Sequence, residues 1–135
     1  MGLDNIPKPP PCLVLEKAGK LKVERAADGK IDCGKTACPF KHVPHIIGIL
    51  GTYCWLRGGA YEDLVEELTE FDLYTDLNRE QLEEMLKQLR EPECEVKVEI
   101  AALLDGEKER LRVELIRYLE TLLSTGWNGK LIAWY

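Results

Sequence analysis

The chain changes character at Tyr61. From there on apolar residues recur with a helical period: Tyr61, Leu64, Val65 and Leu68 stand at i, i+3, i+4 and i+7, with Glu62, Asp63, Glu66 and Glu67 on the other side. Ahead of Tyr61 the pattern is different. Short alternating runs are broken by glycine and proline, which suit strands, turns and loops. Two halves with opposed local preferences in 135 residues predict a single α+β domain.

Residues 1–11 carry Pro7, Pro9, Pro10 and Pro11, so the opening reads as an extended, polyproline-like arm. Such an arm lies across its own domain or reaches a neighbour. Residues 12–17 and 20–25 flank Gly19, with Leu13 and Leu15 alternating in one run and Leu21 and Val23 in the other. They read as a β-hairpin. Asp28-Gly29 marks a turn, and residues 30–33 form a short third strand or lead into a loop. Residues 33–60 read as loop.

In the second half, Asn78 and Gln81 form a capping-box pattern ahead of a helix whose stripe is Leu82, Met85, Leu86 and Leu89, with Pro92 as its stop. Residues 95–104 fit either a strand or a helix, and we read them as helix. A last helix over residues 107–124 ends before Gly126. Its face of Leu111, Leu115, Tyr118, Leu119 and Leu122 is broadened by Ile116 and Leu123, enough to meet two neighbours. Residues 130–135 read as a closing strand. The expected architecture is a small antiparallel sheet, made from the amino-terminal hairpin and the carboxy-terminal strand, packed by three or four helices. Residues 1–135 then divide into an arm (1–11), a Cys/His-bearing half (12–60) and an acidic helical half ending in a strand (61–135).

Charge is uneven. Residues 1–60 hold nine Lys/Arg against five Asp/Glu (+4), and residues 61–135 nine against nineteen (−10), which sums to −6. A net negative chain repels polyanions, so nucleic-acid binding is disfavoured, although the basic half could serve as a weak site. The same asymmetry lets the basic half of one copy meet the acidic half of another, and we expect a homodimer or another protein partner. The longest apolar run, residues 43–56, contains His45, Gly48 and Gly51 and falls short of the roughly 20 residues a spanning helix needs. The opening lacks the apolar stretch of a signal peptide. The expected location is the cytoplasm. One serine and five amides beside 31% charged residues form a heat-adapted pattern.

Four of the five cysteines (Cys12, Cys33, Cys38, Cys54) fall in the first 54 residues, with both histidines, His42 and His45. The spacing Cys33-x4-Cys38-x3-His42-x2-His45 sits among Gly and Pro, in a loop able to fold round an ion. Cys/His sets of this kind hold zinc, although the paired Cys-x2-Cys of the strongest zinc signature is missing. Cys38-Pro39 resembles the dipeptide after some iron–sulfur ligands. Three readings stay open: one structural metal ion on some of these six residues, with zinc preferred over iron–sulfur; disulfides, which heat-adapted proteins keep inside cells; or small buried thiols. Cys94, apart among glutamates, reads as an uninvolved thiol.

Three strings, Met1-Gly-Leu-Asp-Asn-Ile-Pro with Cys12, Gly29-Lys-Ile-Asp-Cys33 with Cys38-Pro39, and Leu50-Gly-Thr-Tyr-Cys-Trp-Leu-Arg-Gly58, resemble a group of short microbial proteins, mostly archaeal. The resemblance spans about the first 60 residues. That group is uncharacterised, so the resemblance implies no activity and no residue role.

Arg57-Gly58-Gly59 runs into the Tyr61 helix, where free amides and a guanidinium could hold an anion. The plainer reading is a sharp turn, with Trp55 packed in the core. A serine triad is excluded in practice, since Ser124 is the one serine and ends a helix. A cysteine nucleophile, Cys38 or Cys54, with His42 or His45 as base would need contact at about 3 Å. A binding or interaction protein is therefore favoured over a small cysteine- or metal-dependent enzyme. Light scattering checks the association: a dimer mass is expected, and a monomer mass contradicts it.

Overall fold

The computed structural model describes residues 2–49, 52–90 and 106–135. Among these, three strands form one antiparallel sheet: β1 (Asp4–Lys8), β2 (Leu77–Asn78) and β3 (Lys130–Trp134), in the order β1-β3-β2. Four helices accompany it: α1 (Pro11–Lys17), α2 (Glu62–Leu68), α3 (Arg79–Arg90) and α4 (Gly106–Ser124). The fold is α+β, as the sequence predicts. Residues 95–104, Pro92 and Cys94 lie outside the described residues.

The composition of the sheet differs from expectation. The proline-rich arm is a strand, not a free extension. β1 pairs with β3 from Asp4↔Trp134 to Lys8↔Lys130, and Leu3 to Pro7 are buried. On its other side Asn5 exchanges two backbone hydrogen bonds with Leu56, at 2.7 and 3.0 Å. Proline fits here because Pro7 needs no N–H donor at a sheet margin.

The predicted hairpin is also replaced. Residues 11–17 are helix α1, with Pro11 in its first turn, where a missing N–H costs nothing. Helix α1 closes in a Schellman motif: Lys20 N–H donates to Leu15 O at 2.9 Å and Gly19 N–H to Glu16 O at 3.0 Å. Gly19 supplies the positive φ of 73° that this cap requires. The alternation of Leu13 and Leu15 gave way to these two terminal signals. Beyond the cap, residues 20–33 make one isolated bridge, Arg25↔Ile31, around the Asp28-Gly29 turn. The predicted third strand is therefore a loop.

Helix starts in the second half match the sequence. Asn78 and Gln81 bond reciprocally, each backbone N–H to the other's side-chain oxygen at 2.9 Å. Helix α3 packs on α4, which also meets α2 and a 3-10 turn at Pro39–His42. Leu82, Met85, Leu89, Leu115, Tyr118, Leu119 and Leu122 belong to one buried cluster. Truncating such a leucine to alanine costs about 2–5 kcal/mol. Two arginines satisfy exposed helix-end carbonyls: Arg112 donates to Leu89 and Arg90 at the end of α3, and Arg79 to Leu123 at the end of α4. The fully buried tryptophan is Trp127, whose indole N–H donates to Pro9 O. Trp55, expected in the core, is half-buried and packs edge-on against Trp134.

Helix α2 places Glu62 under Leu73, whose N–H it accepts at 2.9 Å. The Glu62 carboxyl is raised to about 7, first by desolvation, with the Leu73 hydrogen bond opposing the rise and neighbouring Asp72 adding to it. The folded chain thus holds this proton more tightly than the unfolded one. The resulting stability is present below the ordinary carboxylate range and is lost as pH rises through about 7. Glu62→Gln keeps the acceptor and removes the charge. Denaturant unfolding should show it more stable than the parent at pH 8 by about 1 kcal/mol, given partial solvent screening, with the gain gone near pH 4.

Candidate functional site

Three segments that are distant in sequence bring four cysteines to one place. Cys12 lies in the first turn of α1, Cys33 and Cys38 at the two ends of a short loop, and Cys54 in the turn ahead of Leu56. Their side chains, with Ile31, Thr36 and Phe40, line one cavity of about 10 Å³. That is room for about one water-sized sphere. Cys38 and Cys54 are buried, while Cys12 and Cys33 are half-buried.

Each segment is held by its own bonds. The Cys33–Cys38 loop is ordered by Thr36, 1% exposed, whose hydroxyl donates to Asp32 O at 2.8 Å and accepts from Glu24 N–H at 3.1 Å. Asp32 also accepts Lys35 N–H through its side chain at 3.1 Å. The chain leaves Cys38 in the Pro39–His42 turn, where Lys41 N–H donates to Cys38 O at 3.1 Å. Cys54 is tied to α4, because the Tyr118 hydroxyl donates to its carbonyl. Helix α1 is tied to the loop by Arg25, whose guanidinium donates to both Glu16 carboxylate oxygens at 3.0 and 3.1 Å.

The sulfurs act on one another electrostatically. Burial raises the Cys12 thiol, and negative charge on Cys33 and Cys38 would raise it further. Burial likewise raises Cys38, with Cys33 adding to the effect and Lys41 opposing it. Cys54 is raised furthest, first by burial and then by Cys38, Cys12 and Cys33. Together these relations link every pair among the four. The raised thiols of Cys12, Cys38 and Cys54 stay protonated and inert at neutral pH unless a cation replaces the protons.

All four are free thiols. They share the cavity without forming a finished ligand shell: among the described residues no three His, Cys, Asp or Glu side chains stand in metal-holding geometry. Holding four sulfurs at about 2.3 Å from one point would require them to move from where they stand.

The histidines stand apart from this cavity. His42 is exposed at the end of its turn. His45 directs Nδ1 at Val43 O, 2.9 Å away, and Nε2 at Tyr53 O, 2.7 Å away, so neither ring nitrogen faces a thiol. Its ring packs instead against Tyr118 and Phe40. The predicted thiol–histidine contact is not formed, and of the six candidate residues the four cysteines share the cavity while the histidines do not. Sequence reading missed Ile31, Thr36 and Phe40 as the cavity's other walls. Thr36 sits midway between two cysteines, where a short hydroxyl commonly bonds local backbone, and that was the one available signal.

The Arg57-Gly58-Gly59 junction is filled by the chain's own groups. Arg57 Nε lies 3.8 Å from Oδ1 of Asp4, which is 1% exposed. Gly59 N–H donates to Leu3 O at 3.1 Å, and Ala60 and Tyr61 N–H to Arg57 and Gly58. Of the amides predicted to face an anion, those of Arg57 and Gly59 are turned to the backbone carbonyls of Ile46 and Leu3.

Comparison with protein-family models, with curated proteins and with solved structures finds no match to this chain.

A methyl group on Gly58 would fall 1.8 Å from Asn5 Oδ1, whereas one on Gly59 meets nothing nearer than Leu3 N at 3.6 Å. Gly58→Ala should therefore destabilise the chain by roughly 1–3 kcal/mol and Gly59→Ala by well under 1 kcal/mol, read from denaturant midpoints.

Proposed function

We propose that this chain is a small binding module whose amino-terminal half is braced by one zinc ion on Cys12, Cys33, Cys38 and Cys54. The observation that carries the reading is the convergence of four cysteines, from three separately anchored segments, on one cavity. Thiols buried merely as small apolar groups have no reason to share one pocket. The donor set fits the ion: four sulfurs are a complete tetrahedral shell for a thiophilic cation, in walls that are otherwise apolar. The cavity size favours a single ion over an iron–sulfur cluster. Bound there, zinc would supply folding energy, since its ligands leave no open position for a substrate.

A bracing role suits the surrounding chain. Among the described residues of 18–57 there is no α-helix or paired strand beyond short 3-10 turns and isolated bridges. An ion joining residues 12, 33, 38 and 54 would close three loops at once. The binding role is supported by exposed large apolar side chains where β3 ends. Trp134 is 50% and Tyr135 67% exposed, with Ile49 and Tyr74 also exposed. Aromatic groups left in water mark contact surfaces. A second copy of the chain is the partner we favour.

Elemental analysis of untagged protein should find about one zinc per chain. Cys38→Ser or Cys54→Ser should abolish it, while His42→Ala should leave it unchanged. Uptake should release protons, seen as a buffer-dependent heat in titration calorimetry. Oxidation of the same sulfurs to two disulfides is the competing use. Metal-free protein with four fewer reactive thiols in denaturant would establish that use and exclude zinc.

A further inference from the structure

Zinc and four thiolates together carry two net negative charges, and a buried anion of that size requires nearby positive charge or N–H donors. Backbone N–H groups of Leu13 serve Cys12, and those of Phe40 and Lys41 serve Cys38, but the wall of Ile31, Phe40, Thr36 and the cysteines themselves contains no cation. Two cations stand close enough to act on the sulfurs. Arg25 acts on Cys12, but its guanidinium is exposed and already spans the Glu16 carboxylate. Lys41 acts on Cys38, is half-buried, and pairs with no carboxylate among the described residues.

Where Lys41 sits is more specific than its charge. Its ammonium donates to Gly34 O at 2.7 Å, next to Cys33. It lies 5.7 Å from the centre of the Tyr53 ring, next to Cys54. Its backbone N–H donates to the Cys38 carbonyl at 3.1 Å. One residue therefore contacts the chain beside three of the four cysteines, and its ammonium pairs with no carboxylate among the described residues.

We infer that Lys41 is the positioning and charge-balancing residue of the four-cysteine centre, holding the Cys33, Cys38 and Cys54 segments together while offsetting the charge of the thiolate-bound ion. The inference rests on the zinc reading above. It assigns to a single lysine what a neutral hydrogen-bond donor could only half perform, because the amide of a glutamine at position 41 would keep a donor for Gly34 and lose the charge.

The test is competition for zinc between the full chain and a chromophoric chelator, at low and high salt, for the parent, Lys41→Met, Lys41→Gln and Lys41→Arg. Lys41→Met should bind zinc at least tenfold more weakly, in the range lost when groups behind metal ligands are removed. Lys41→Gln should lose nearly as much, and Lys41→Arg should stay within a few-fold of the parent. The parent's advantage should shrink at high salt, as screening of a half-buried charge requires. Parent-like affinity in both Lys41→Met and Lys41→Gln would overturn the inference and leave the zinc reading standing. Parent-like affinity in Lys41→Gln alone would overturn the charge-balancing role. A parent that takes up no zinc would remove the zinc reading itself. Thermal unfolding of the metal-free variants supplies the second readout: a Lys41→Met loss of equal size with and without zinc would mean a purely structural contact and would also overturn the inference.

Discussion

Asn5 joins the halves of this molecule. Its backbone N–H and C=O close on Leu56, its side-chain amide donates to Leu73 O at 2.9 Å, and its strand register sets it opposite Ala133. Three stretches far apart in sequence, the loop before α2, the turn after it and the last strand, are thus fixed to one fully buried residue. Asp4 beside it is equally buried and faces Arg57. Buried polar side chains of this kind are tolerable only where the partners are in register, so they select one arrangement of the arm over its slipped alternatives. Gly58 belongs to the same constraint, since any side chain there would displace the Asn5 amide.

The cysteine cavity is a consequence of that arrangement. With β1 fixed, Pro9 docks on Trp127 and Pro11 starts α1, which sets Cys12 against the rest of the first half. With Leu56 fixed to Asn5, Cys54 is set two residues away, and Tyr118 of α4 secures its carbonyl. Arg25 then ties the intervening loop to α1, and Thr36 holds that loop in shape. The core of the helical half needs no such device, because Leu82, Met85, Leu89, Leu115 and Leu119 bury themselves by helix packing alone. Loop-rich chain buries little apolar surface per residue, and a shared ion would compensate for this deficit.

Much of the fold was legible because it is encoded locally. The Asn78/Gln81 box, the apolar stripe of α3 and the broad face of α4 each lie within a few turns of chain, where periodicity and capping act directly. The hairpin at residues 12–25 was misread because alternation over two leucines is a weaker signal than Pro11 at a helix start and Gly19 at its end. The arm was misread for another reason: strand pairing between residues 4–8 and 130–134 spans nearly the whole chain, and no local pattern announces its partner.

By itself, the sequence determined the α+β class, the helix starts and caps, the absence of a serine triad and the inventory of thiols, all of which follow from residue identity and near-neighbour spacing. Only the tertiary structure decided that the arm is a strand, that Cys12, Cys33, Cys38 and Cys54 meet while His42 and His45 do not, and that the Arg57-Gly58-Gly59 amides serve the chain itself. The physical reason is range. Capping and helical periodicity act over a handful of residues, whereas a shared cavity depends on where whole segments come to rest once distant backbone groups have paired.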